Sequence, residues 1–97
     1  MIRIIDDRST GKTSRLMLLA KENDAYFICN NPRAMEYKAK AYGIEGINFI
    51  SYGEFITEYY RNGKYQHDKF VLDELEMFLE RDIFPNNSLV GYTMSKE

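Results

Sequence analysis

Ninety-seven residues give room for one small domain, 1–97, and the 44% hydrophobic and 29% charged fractions belong to a folded chain rather than a disordered one. Thirteen basic and 15 acidic side chains leave a net charge of -2, which excludes nonspecific nucleic-acid binding by bulk charge; any such contact must be local. The lone cysteine, Cys29, excludes an internal disulfide framework. No apolar run approaches the roughly 20 residues that cross a bilayer, and Arg3, Asp6 and Asp7 interrupt any signal-peptide core, so the expectation is a cytoplasmic chain without a membrane partner.

Ile2 to Ile5 is a short strand candidate. From Thr13 to about Glu22, Leu16, Leu19 and Ala20 recur at helical spacing, with Lys21 in the last turn. The run AYFIC (25–29) is continuously apolar, as expected of a strand covered on both faces. Asn31 is placed to cap a helix whose first residue is Pro32 and whose terminator is Gly43. INFI (47–50) is the next strand, and Ser51 and Glu54 stand at capping-box spacing before a helix that ends at Asn62-Gly63.

KFVLDE (69–74) is an apolar strand ending in two acids. LEMFLERDI (75–83) is a short helix with Leu75, Phe78 and Leu79 on one face, FPNNS is a turn, and LVGYTM (89–94) is a last strand. Strands and helices in alternation predict an α/β fold, a three-layer sandwich around a five-stranded, mainly parallel sheet with right-handed crossovers. Ligands of such sheets bind beyond the carboxyl ends of the strands.

Gly11-Lys12-Thr13 closes a phosphate-binding loop, after a predicted strand and opening a predicted helix. The chemistry is that of backbone N–H groups wrapping an anion at a helix N-terminus, where the dipole also favours negative charge. Ser9, Thr10, Gly11, Lys12, Thr13 and Ser14 are the candidate nucleotide-binding set. Gly11 permits close approach of the backbone, Lys12 pairs with the β and γ phosphates, and the Thr13 hydroxyl is placed for a Mg2+ ion. The departure is Asp6, which stands where such a loop has its first glycine. It brings a Cβ and a charge towards the polyphosphate, or else caps the loop by accepting backbone N–H bonds.

FVLDE (70–74) delivers Asp73 and Glu74 at the end of its strand. Asp73 is the second candidate anchor for Mg2+, with Thr13, and Glu74 the candidate catalytic base that orients or deprotonates the attacking water. Acids in the first turn of any helix are favoured by the dipole, so the motif acquires meaning from its pairing with the loop about sixty residues earlier.

With both motifs in view the chain resembles a P-loop NTPase of the additional-strand, catalytic-glutamate class, similar in its order of elements to the N-terminal RecA-like core of helicases and phage terminase-type motors. DDRSTGKT (6–13) resembles Walker A except at Asp6, and FVLDE resembles Walker B with its adjacent acid. FICNNPRAMEYKAKAYGI (27–44) is similar to the helicase motif Ia segment, and NFISYGEFI (48–56) to the strand and aromatic helix that follow it. LVGYTMSKE (89–97) stands where a sensor strand would, with Thr93 and Ser95 as polar candidates. The resemblance implies ATP with Mg2+ as ligand or substrate. In that family the polypeptide continues to an arginine finger and usually a second core. Nothing marks Arg8, Arg15, Arg33, Arg61 or Arg81 as a finger, so hydrolysis implies a partner protein or self-assembly that supplies one.

Tyr52, Phe55, Ile56 and Tyr59 fall at helical spacing and read as a face docked on the sheet rather than as a base-stacking platform. Arg33, Lys38 and Lys40 form a small basic patch where helicases touch single strands; the bland reading is a solvated face. His67 is isolated and expected on the surface, Cys29 reads as a buried, inert thiol, and 61–68 is a polar turn and candidate mobile loop. Two functions stay open: a nucleotide-binding or slowly hydrolysing P-loop protein, and a P-loop-shaped protein-interaction module, phage-encoded in type, without turnover. A small-molecule kinase fits less well, since little chain is left for a lid, and a dinucleotide fingerprint is absent.

Overall fold

A computed structural model describes residues 1–5 and 11–95. Its centre is a parallel sheet of three strands, β1 (Tyr26–Cys29), β2 (Phe49–Ser51) and β3 (Phe70–Leu72), in the order β2-β1-β3. Register is fixed by Phe27 opposite Phe49 on one side and opposite Val71 on the other. Four helical elements surround it: α1 (Lys12–Asn23), α2 (Pro32–Tyr42), α3 (Tyr52–Phe55) and α4 (Leu75–Phe78). The last two continue as wider, π-helical segments, Ile56–Arg61 and Leu79–Ile83. The N–H of Phe84 bonds back to Leu79 O at 2.7 Å, five residues earlier, as that winding requires.

Side chains alternate across the strands and build two apolar layers. Phe27, Cys29 and Val71 face α1 and α2, where Met17, Ala20, Ala39 and Ile44 complete a buried cluster. Ile28 and Ile50 face the opposite way, on to Tyr52, Tyr65 and Phe78, with Phe55, Ile56 and Tyr59 packed around them. The aromatic face expected of residues 52–59 does dock on the sheet, its rings meeting edge to face around Phe70. Within α1 the buried residues are Met17 and Ala20, while the anticipated Leu16 and Leu19 are only half-buried. Leu75 turns outward from the face it was expected to share with Phe78 and Leu79.

The helix signals act as their chemistry dictates. The Asn31 side chain accepts from Ala34 N at 3.2 Å, directly before Pro32, and the Ser51 hydroxyl accepts from Glu54 N at 3.0 Å. Both long helices end in the same reciprocal bond pair. In α2, Gly43 N reaches Lys40 O and Ile44 N reaches Ala39 O, with Gly43 left-handed at φ 72. In α1, Asp24 N reaches Lys21 O and Ala25 N reaches Ala20 O, so the left-handed position is held by an aspartate, φ 52. The polar turn at 61–68 is anchored by Tyr65, which is buried against Tyr26 with ring centroids 4.8 Å apart and donates to Glu54 Oε2 at 3.1 Å. His67 is exposed, as expected.

The sheet differs from the five-stranded expectation. Among the described residues, 2–5 and 89–94 join no ladder. Strand propensity needs a partner and a burial gain to be realised. Val90 is 97% exposed, and Gly91 contributes no side chain to pack, so pairing of that segment gains little.

A left-handed non-glycine residue costs about 1 kcal/mol, offset in part by glycine's greater unfolded-state entropy. Asp24→Gly is therefore expected to stabilise the protein by about 0.5 kcal/mol, read as a higher urea midpoint at unchanged slope; a lower midpoint contradicts this account of the α1 terminus.

Candidate functional site

The carboxyl ends of the three strands open into one cavity of about 450 Å3. Asn30 and Asn31 follow β1, Tyr52 follows β2, and Asp73 and Glu74 follow β3. Asp73 is set in place by the last rung of the ladder, its N–H bonding to Ile28 O at 2.9 Å. Facing these are Gly11, Lys12 and Thr13 at the N-terminus of α1 and Met35, Lys38 and Tyr42 from α2. Gly11 is left-handed at φ 77, and a Cβ there would stand 3.5 Å from Ser14 Oγ. Among the described residues no acid occupies the first turn of α1 and no side chain caps it, and that N-terminus borders the cavity.

Lys12, Thr13, Asp73 and Glu74 thus converge, although Lys12 and Asp73 are sixty-one positions apart in sequence. Lys12 Nζ stands 3.6 Å from Glu74 Oε1, with side chains 28% and 44% exposed. A pair this open contributes under about 1 kcal/mol, so a stronger anion can displace the carboxylate from the lysine. Glu74 is itself left-handed, φ 57, at the entrance to α4. That strain aims a carboxylate at the cavity where an unstrained turn would not. Ser14 donates its hydroxyl to Gly11 O at 2.9 Å and is not among the cavity-lining residues. Asp6, Ser9 and Thr10 lie outside the described residues.

Asp73 is 7% exposed. Burial pushes its carboxyl above the ordinary value and neighbouring Glu74 adds to this, while Lys38 and then Lys12 pull it back down. Such a carboxylate gains from a cation beside it. Magnesium takes one or two protein oxygens and fills its octahedron with water and phosphate. The Thr13 hydroxyl and Asp73 carboxylate, on facing sides of the cavity, are of the right chemistry for that donor set. Among the described residues no cluster of three or more His, Cys, Asp and Glu side chains exists that would hold a metal ion by itself.

Tyr52 has a role that its place in an amphipathic pattern concealed. It is 3% exposed, and its hydroxyl donates to the backbone carbonyl of Asp73 at 2.7 Å and of Glu74 at 3.3 Å. Burial, then the charge of Asp73, raise its pKa, so it stays a donor. The phenol ties the end of β2 to the acid pair at the end of β3. The only sequence signal was its position, first in the helix that follows a strand. Cys29, behind the acids, is buried; burial and then the Asp73 charge push its thiol up to about 12, which makes it inert as expected.

The basic patch divides. Lys38 lines the cavity, on the helical stripe Asn31, Met35, Lys38, Tyr42, whereas Arg33 and Lys40 are exposed elsewhere on α2. Arg81 reaches the rim, donating from Nη1 to Asn30 Oδ1 at 2.7 Å. Thr93 and Ser95 are exposed and outside the cavity lining. A second, more apolar cleft of about 860 Å3 runs between the edge of β3, residues 1–5 and Tyr92 and Met94. No helix among the described residues is long and apolar enough to cross a membrane. No family model matches the chain, and neither does any curated protein or solved structure.

Removing the Tyr52 hydroxyl leaves the buried Asp73 carbonyl without its donor. Tyr52→Phe is expected to cost about 1–2 kcal/mol in urea unfolding; an unchanged midpoint would show that the tie carries no energy.

Because the folded-state pKa of Asp73 lies above the unfolded one, its protonated form stabilises the fold at acid pH. That contribution is lost as pH rises through the raised pKa. Asp73→Asn should accordingly melt above the parent in EDTA, by a margin that widens from acid towards neutral pH. A pH-independent margin contradicts the burial argument.

Proposed function

We propose that the protein binds a nucleoside triphosphate, ATP in the first instance, with Mg2+. The observation that carries this reading is the convergence of Gly11, Lys12 and Thr13 with Asp73 and Glu74 on one cavity at the carboxyl ends of parallel strands. On this reading Lys12 leaves Glu74 for the phosphates, and the leading N–H groups of α1 with Gly11 wrap them. Thr13 and Asp73 hold the cation, whose charge offsets the cost of burying Asp73. Glu74, released from the lysine, accepts a hydrogen bond from the attacking water. Tyr52 fixes the backbone of both acids and is a positioning residue. Ser9, Thr10 and Ser14 complete the loop in this proposal, Ser14 through its backbone N–H.

The motif pair and its order also support the family reading, a P-loop NTPase core of the additional-strand class. Its two further strands would be residues 2–5 and 89–94; residues 1–5, Tyr92 and Met94 line the second cleft together with β3. The described arginines stand outside the cavity, so rapid turnover on this proposal needs an arginine from a protein partner or a second copy. The interaction-module alternative keeps the fold and binds a partner without turnover.

Isothermal titration with Mg–ATP tests the binding. Lys12→Ala is expected to weaken it by at least about tenfold, the scale of a lost charge-assisted contact. Equal titrations of parent and variant sink the nucleotide reading. Phosphate release by Glu74→Gln, alone and with candidate partners, separates the rest: loss of release with binding retained assigns Glu74 as base, and no difference leaves a binder.

A further inference from the structure

The nucleotide reading accounts for one of the two lysines in the cavity. Lys38 enters from a different element, α2, whose residues Asn31, Met35, Lys38 and Tyr42 recur at spacings of four, three and four and present one stripe to the cavity. Its situation differs from that of Lys12. Lys12 is held by Glu74 at 3.6 Å, whereas Lys38 has no ion-pair partner among the described residues. It lines the same cavity as Asp73, the buried acid of the site. An ammonium that lines the cavity and has no close ion pair among the described residues is available to an anion.

The anion it would meet follows from the order of groups. A nucleotide whose magnesium were held by Thr13 and Asp73 would bring its terminal phosphate to that end of the cavity, which Lys38 also lines. Resting on the proposed nucleotide site, we infer that Lys38 is a binding residue for the terminal phosphate and makes the cavity discriminate nucleoside triphosphate from diphosphate. The charge comes from within the chain, on the helix that follows β1, and it serves in the ground state by holding the γ oxygens. The resulting cradle is two-sided, with Lys12 and the α1 N–H groups on one element and Lys38 on another. Its exposed position means that truncation removes the charge without opening the core.

The test compares affinities for Mg–ATP and Mg–ADP by titration calorimetry in the parent, Lys38→Ala, Lys38→Arg and Lys12→Ala, with thermal melts confirming that each variant is folded. Lys38→Ala is expected to weaken ATP about tenfold and ADP by less than about twofold, with Lys38→Arg retaining most of the discrimination. Lys12→Ala should weaken both nucleotides. Lys38→Ala behaving like the parent, or weakening both nucleotides equally while Lys12→Ala weakens both, overturns the role of Lys38 and leaves the nucleotide site standing. A parent that binds neither nucleotide, or a Lys12→Ala variant that binds as the parent does, overturns both together.

Discussion

Parallel register is the constraint on which the site depends. β1 lies between two partners and runs the same way as both, so Cys29 is level with Ser51 and Ile28 with Leu72. Only with that alignment do Asn30, Tyr52 and Asp73 emerge together at one edge. A slip of one residue would turn Asp73 to the opposite face and put Val71 in the wrong layer. The register is protected because both sheet faces are buried: Phe27 is sealed under α1 and α2, and Ile28 under α3 and α4. Burying side chains of this size contributes about 1.5–3 kcal/mol each, far more than the short ladders need for a unique alignment. The core thereby sets the geometry of the polar edge, which it meets through Tyr52.

At that edge the arrangement is electrostatically unfinished. Two neighbouring acids, one of them buried, stand against two lysines, and among the described residues one close ion pair relieves them. Burial raises the Asp73 carboxyl above its ordinary value and Glu74 sits in a strained backbone conformation, while Tyr52 clamps the peptide between them. Each of these is unfavourable or restrictive for the fold alone. Together they hold two acids and a phenol in fixed positions at one cavity.

Much of this was legible in the sequence because it depends on local rules. Asn31, Pro32 and Gly43 bounded α2, Ser51 and Glu54 opened α3, and the apolar run before Cys29 identified the central strand. Gly11-Lys12-Thr13 and Asp73-Glu74, which line the cavity, stood out in the sequence since each follows or opens an element in a fixed way. What stayed hidden depends on tertiary context. Residues 2–5 and 89–94 have strand composition, yet whether they pair is decided by what lies beside them. Tyr52 looked like one more aromatic on a buried stripe, and its hydroxyl's partner is a backbone carbonyl that no pattern reveals. Lys38 belonged to a basic patch until the turn of α2 parted it from Arg33 and Lys40. Asp24 carried no signal as a terminator, because glycine or asparagine is the usual mark of that position.

The wide winding after α4 has a consequence for the mouth of the cavity. A turn closed over five residues holds one residue more than a regular α-helical turn, so every side chain beyond it is rotated about the axis. Arg81 sits inside such a turn, Leu79–Ile83, and its guanidinium arrives at Asn30. Shortening the segment by one residue would let it rewind regularly and present a different side chain to the asparagine. The identity of the cation at the lip of the cavity is thus encoded in the pitch of the backbone as well as in the letter at position 81.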